Sequence, residues 1–168
     1  PPNTSQEAAL TARYGATLKQ LDAEIDSRLQ FEEWSATGWN TDDQALEEDI
    51  IATNTAGTGG GNLSAPSLAE ASGNTTLELR HTGLSAVELK KWADAALQKN
   101  RLAKIRGRAT IDGSAQAQPG KIMELSGTSD RFNGKVMISG VRHMLEKNQW
   151  ETTIQFGDSP NWHATTFQ

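Results

Sequence analysis

The sequence contains no cysteine. A disulfide framework and a thiolate-ligated metal site are therefore excluded, although the absence does not fix a compartment. Aromatic residues are scarce, at 6% of the chain. No apolar run approaches the ~20 residues that a membrane-spanning helix needs. Histidine occurs only at His81, His143 and His163, far apart and without ligand spacing. No Gly-x-Ser-x-Gly elbow is present. Gly57 to Gly61 is glycine-rich, but neither the lysine nor the amphipathic helix of a phosphate loop follows. Asp42 and Asp43 are adjacent, so on a strand they would point to opposite faces. Glu32–Glu33 and Glu47–Glu48 read as charged strand faces rather than as the paired acids of a glycosidase. These absences predict a chain that is not an enzyme, with no catalytic residue, cofactor or metal.

What the sequence does contain is β structure punctuated by glycine. Its 168 residues suffice for one domain with a core. From Ile105 to Ser159, four short apolar runs are separated by Gly, Pro, Asn and Asp. That is the pattern of a small antiparallel sheet with tight connections. In the last run Trp150, Thr152, Ile154 and Phe156 share one face, and Glu151, Thr153 and Gln155 the other. Period two with one apolar face marks a half-buried strand. Asn133–Gly134, after Phe132, supplies the left-handed backbone angles of a hairpin turn. Pro119–Gly120 marks a turn into the run at Lys121. His143 ends one of these runs and reads as a structural residue, hydrogen-bonding across the sheet.

Upstream, the signals are looser. Pro1 to Arg13 has few strong apolar residues and is expected to fray or to form a linker, so 1–24 is assigned as an N-terminal linker or adaptor. Thr17 to Phe31 alternates, but its composition also suits a helix. The reading adopted is a helix or turn to about Leu21 and a strand from Ile25 to Ser35. Trp39 is placed at a strand end, with Asn40 to Asp43 forming an Asx-type turn before Gln44. Gln44 to Ala52 reads as a strand or a short helical turn. A flexible insertion is expected at about 53–74, one that tolerates shortening. Leu77 to His81 is a short strand. Ser85 with Glu88 forms a capping box, and Val87, Leu89, Trp92, Ala93, Ala96 and Leu97 lie at helical spacing, which predicts one amphipathic helix over 86–102. Residues 160–168 form a tail.

The net charge of −5 is unevenly distributed. Ten acids stand against Arg28 alone between Leu21 and Ile50, whereas eight bases stand against Glu88 and Asp94 between Arg80 and Arg108. Two readings stay open: solvated faces, or opposite patches that meet within the fold or between protomers. The basic helix has mixed faces in an acidic chain, so nucleic-acid binding is not expected.

The C-terminal block resembles the hub domain of VgrG proteins, the spike-tip proteins of type VI secretion and related contractile injection systems, which also occurs in contractile phage tails. The matching segments are Gly107 to Gly113, Pro119–Gly120 with Ile122 to Gly127, Arg131 to Gly134, Val136 to His143, and Trp150 to Gly157. Gly38–Trp39 followed by a polar turn and Gln44 resembles a further hub strand. The resemblance implies a mainly β fold with one amphipathic helix, an antiparallel β-barrel of the phage tail hub type over 25–159. It implies a structural role: a homotrimer joining an Hcp-like inner tube protein to a membrane-piercing needle domain later in the same chain, in contact with baseplate proteins and sometimes effectors. Such a protein is assembled in the bacterial cytoplasm and then delivered outward. The structural or interface candidates are Trp39, Gln44, Trp92, Pro119, Gly120, Phe132, Asn133, Gly134, His143, Trp150 and Phe156. The chain opens on Pro1 without a signal-peptide pattern, and by this resemblance it is expected to be a piece of a longer protein. The competing reading is a β-barrel module that binds carbohydrate or peptide on Trp34, Trp39 and Trp162.

Overall fold

The computed structural model describes residues 5–53 and 60–157. These residues form two compact units. The first takes in 5–26, 60–64 and 102–157; the second takes in 27–53 and 65–101.

The first unit is a six-stranded sheet. Its strands are β1 (Ala8–Arg13), β2 (Leu18–Ile25), β6 (Ile105–Asp112), β7 (Ile122–Ser126), β8 (Gly134–Glu146) and β9 (Gln149–Phe156), in the order β1-β7-β8-β9-β6-β2. β1 and β2 are consecutive in sequence yet stand at opposite edges. Only residues 14–17 join them, so the sheet must curl until its edges approach, and Tyr14 bridges Leu18 at that seam. The curl is helped by irregularities in register in β1, β2 and β8, which increase local twist. The inner face holds Leu10, Ala12, Leu18, Ala109, Ile111, Met123, Leu125, Val136, Ile138, Ile154 and Phe156, all buried. Period-two alternation accounts for this directly, because Thr152, Ile154 and Phe156 are buried and Gln155 is exposed. Phe156 and Ile154 are almost wholly removed from water. Burying side chains of this size contributes about 1.5–3 kcal/mol each.

The second unit is built differently. β3 (Glu33–Asn40) lies between β4 (Ala45–Ile51), antiparallel to it, and β5 (Thr76–Thr82), parallel to it. Helices α1 (Ala65–Ser72) and α2 (Ala86–Leu102) complete the unit. The buried face of α2 carries Leu89, Ala93 and Leu97, spaced by four, and Leu89 and Ala93 pack with Ala36 of β3. Glu88 accepts the backbone N–H of Ser85 at 3.0 Å and its hydroxyl at 2.8 Å, so the return half of the capping box is formed. Phe31 and Trp34 meet edge to face at 6.1 Å. Arg101 is buried beside them and donates to Phe31 O at 2.8 Å and to Gln30 Oε1 at 3.2 Å. Desolvation pushes its guanidinium below the usual value.

Several expectations are corrected. Among the described residues there are two helices, not one. α1 falls inside the stretch expected as a flexible insertion at 53–74, of which 54–59 lie outside the described residues. Its signals are present in the sequence: Ser64 before the first turn, Pro66 within it, and Gly73 after the end. Asn74 N–H donates to Ala69 O and Gly73 N–H to Glu70 O, which is a Schellman cap. The assigned linker over 1–24 contains β1 and nearly all of β2, and the strand expected over 25–35 is interrupted: Ile25 ends β2, 26–32 is a connection, and Glu33 to Ser35 already belong to β3. The curled six-stranded sheet is neither purely antiparallel nor fully laddered into a closed barrel: β1 runs parallel to β7, and the β1–β2 seam carries a single bridge. The expected single barrel over 25–159 is divided, because β3, β4 and β5 form their own sheet. The expected tail at 160–168 lies outside the described residues.

Candidate assembly surface

The tip of the β8–β9 hairpin, residues 145–150, extends past β6 and β7 as a short two-stranded arm, because β9 is paired with β6 from Phe156 as far as Glu151. β8 pairs with β7 only up to Met137, then with β9 alone from Ile138 to Glu146. Residues 142–150 are exposed throughout. The two strands are joined by Lys147–Asn148, at φ 45° and 66°. Two consecutive left-handed residues, with Glu146 opposite Gln149, define a two-residue hairpin turn of the primed type. At the base of the arm, His143 stands opposite Thr152, and its Nδ1 lies 3.0 Å from the threonine hydroxyl. His143 and Trp150 rings are 6.0 Å apart. Trp150 is 44% exposed and covers Gly113. Met144 and Leu145 are exposed beside it.

The tight turn is thus not at Asn133–Gly134. That pair belongs to a longer loop between β7 and β8, where the asparagine acts through its side chain. Asn133 Oδ1 accepts from the Thr128 backbone N–H at 3.0 Å and from its hydroxyl at 2.8 Å. Phe132 packs against the core. Segment 60–62 is held against this loop by three backbone bonds: Gly60 N–H to Lys135 O, Gly61 N–H to Asn133 O, and Asn62 N–H to Asp130 O. This end of the expected insertion is packed rather than free. Pro119–Gly120 does form the expected turn: Lys121 N–H donates to Gln118 O, and Gly120 has φ 81°, as a type II turn requires.

The second unit carries the remaining candidates. Asn40 Oδ1 accepts from the backbone N–H groups of Asp42 and Asp43, which is the Asx turn expected there, and Gln44 follows at φ 50°. Trp39 is 45% exposed, opposite an exposed Leu46 on β4. Trp92 meets His81 edge to face at 5.6 Å. Trp34, by contrast, is buried and offers no ring to a ligand. Trp162 and His163 lie outside the described residues.

Charge is partly resolved within the first unit. Acidic β2 lies against basic β6, with Arg106 paired to Glu24 and, at 3.2 Å, to Asp26. Lys19 reaches Asp112 and Glu151, both at 2.9 Å, and ties β2, β6 and β9 together; the Glu151 and Asp112 carboxylates hold its ammonium above the usual value. Sequence reasoning did not single out Lys19, whose partners come from strands remote in the chain. Among the described residues no group of three or more His, Asp or Glu is placed to hold a metal, and no helix is long and apolar enough to cross a membrane.

The architecture has known counterparts. The 43 kDa tail protein of prophage MuSo2 from Shewanella oneidensis superposes with a TM-score of 0.55 at 12% identity, over 93% of this chain and 43% of its own. The tail protein from Neisseria meningitidis MC58 superposes with a TM-score of 0.54 at 15% identity, over 94% of this chain and 46% of its own. The chain therefore has the fold of phage tail proteins, and it spans less than half the length of either. No curated protein matches it in sequence. Residues 1–147 match the family described as the Alg8 N-terminal domain, and the chain belongs to that family. Of the resemblance to VgrG hubs, these structures support the phage-tail fold.

Proposed function

We propose that this chain is a structural module of a phage-tail-like contractile injection machine, working as a hub that joins the inner tube to the piercing needle. The observation that carries the reading is the match of the curled sheet and its accompanying α/β unit to tail proteins over 93% of the chain. The module acts by being bound to copies of itself, as a homotrimer, and to an Hcp-like tube protein. Baseplate proteins and a needle domain in the same chain complete its contacts. It transmits force and does no chemistry, and it is assembled in a bacterial cytoplasm before delivery outward.

Two features support a scaffold over a carbohydrate or peptide module. The buried Trp34 removes one ring of the aromatic platform that the latter would need. The β8–β9 arm and the β3–β4 edge expose apolar side chains, Met144, Leu145, Leu46 and Ile51, on surfaces without a partner strand. Electron microscopy of the full parent chain mixed with its cognate tube protein tests the proposal. Rings of the hub capping tube ends are expected. A monomer that ignores the tube and is retained on a glycan array would overturn it.

A further inference from the structure

Arg108 on β6 and Arg142 on β8 flank β9 on the outer face of the curled sheet. Register sets Arg108 opposite Gln155 and Arg142 opposite Thr153, so the two guanidinium groups straddle a pair of short polar side chains. Gly140, also opposite Gln155, leaves the floor between them open. The result is a 380 Å³ groove bordered at its far end by Met144. Both arginines are exposed, and neither has an ion-pair partner among the described residues. Their neighbours differ. Arg106 is satisfied by Glu24 and Asp26, and Glu151 is occupied by Lys19. Asp22 is in register with Arg108 but makes no ion pair with it. Among the described residues the groove thus carries two unpaired arginines, with Asp22 the one acid in register with either of them.

The same chain presents a matching surface on its second unit. The β3–β4 hairpin exposes Asp42, Asp43, Glu48 and Asp49, none of which forms an ion pair among the described residues. Its tip is fixed in advance by Asn40, which holds the backbone of Asp42 and Asp43, so little order need be gained on docking. Trp39 and Leu46 stand exposed behind the acids, as Met144, on the same face of β8 as Arg142, stands exposed beside the arginines. Each surface joins charge of one sign to an apolar shoulder, and the signs are opposite.

We infer that the acidic β3–β4 hairpin of one copy docks into the Arg108–Arg142 groove of a second copy. The two surfaces differ, so the contact is heterologous, and a heterologous contact closes into a ring when its rotation permits. Oppositely charged patches of this kind set partner orientation and association rate. The inference rests on the self-associating role proposed above and names its interface.

Sedimentation velocity on the full chain tests it, with the double variants Arg108→Glu/Arg142→Glu and Asp42→Arg/Glu48→Arg and the four-substitution chain that combines them. All four positions are exposed, so each variant should fold, with only a small loss of stability where Arg108→Glu sets a like charge opposite Asp22. Each double variant is expected to associate at least tenfold more weakly, and the combined variant to recover, because the signs are exchanged and not removed. Wild-type association that also weakens with added salt agrees with the inference. If the wild type assembles or binds tube protein while the double variants do so equally well, or if the combined variant stays dissociated, this interface is wrong and the scaffold role stands. A wild type that neither self-associates nor binds tube overturns both.

Discussion

The indole of Trp150 occupies the space that a side chain on residue 113 would need. A Cβ built on Gly113 would lie 2.1 Å from the ring, while Gly113 N–H donates to Trp150 O at 2.8 Å. The end of β6 is thereby fastened to the start of β9 by a bond and a steric fit at once. Gly113→Ala is expected to displace the ring and to cost roughly 1–3 kcal/mol, as overpacking does. The check is a denaturant melt followed by tryptophan fluorescence. In a Trp150→Ala background the same change should cost much less, giving a coupling of about 0.5–3 kcal/mol in a double-mutant cycle. Equal costs in both backgrounds would show that the two residues act independently.

Segment 60–62 gives a second test. Gly61 has φ 86°, and a Cβ there would lie 2.0 Å from Arg131 O. Gly134, across the same contact, has φ 127° and would press its Cβ to 2.8 Å from the Gly60 Cα. Gly61→Ala therefore combines backbone strain with a clash against main chain, and is expected to lower stability by at least ~1–3 kcal/mol. Gly134→Val should do the same through the same contact. Wild-type thermal melting of Gly61→Ala would show that this segment does not pack on the β7–β8 loop.

The two turn asparagines should respond in opposite ways. Asn148 already sits at φ 66° in the primed turn, where glycine is favoured, so Asn148→Gly is expected to leave the melting temperature unchanged or raise it. Asn133→Ala removes the acceptor for two donors on Thr128 and is expected to cost about 1–3 kcal/mol, since the Thr128 donors lose their partner. Thermal denaturation of both variants decides between this assignment and one in which Asn133–Gly134 is the tight turn.

Stability should also fall at both ends of the pH scale for separate reasons. The Ser85 backbone N–H and hydroxyl hold the Glu88 carboxyl below its usual range. Its contribution is then present above the ordinary glutamate value of ~4.3 and lost as pH falls through the lower folded value. The Lys19 ammonium is held above its usual range by Glu151 and Asp112. Its contribution is present below the ordinary lysine value of ~10.4 and lost as pH rises through the folded one. Urea melts across pH should show a shallower acid limb for Glu88→Gln and a shallower alkaline limb for Lys19→Met. Limbs parallel to wild type would remove these groups from the account.

Much of this architecture could be read from local pattern. α2 was legible because Ser85, Glu88 and a four-residue apolar spacing agree, and β9 because its alternation is clean. The Asx turn at Asn40 and the turn at Pro119–Gly120 followed from the chemistry of those residues. α1 was missed although Ser64, Pro66 and Gly73 bracket it, because its buried positions are only Ala65 and Ala69 and make a weak apolar stripe. β1 was missed for the same reason, its core contribution being Leu10 and Ala12. The parallel pairings of β1 with β7 and of β3 with β5 join residues remote in sequence, and no local periodicity encodes a partner. At the candidate surface, individual residues such as His143 and Trp150 could be named. The pairing of acidic β2 with basic β6 was only one of two open readings of the charge segregation, because it depends on which strands the curl brings side by side.

The central claim is that this chain is a scaffold made to associate with copies of itself. Sedimentation equilibrium of the full parent chain over a wide concentration range tests it most directly. The account predicts a mass of three protomers that dissociates on dilution or with Arg108→Glu/Arg142→Glu. A single-protomer mass at every concentration, in a chain that also fails to bind the tube protein, would contradict it.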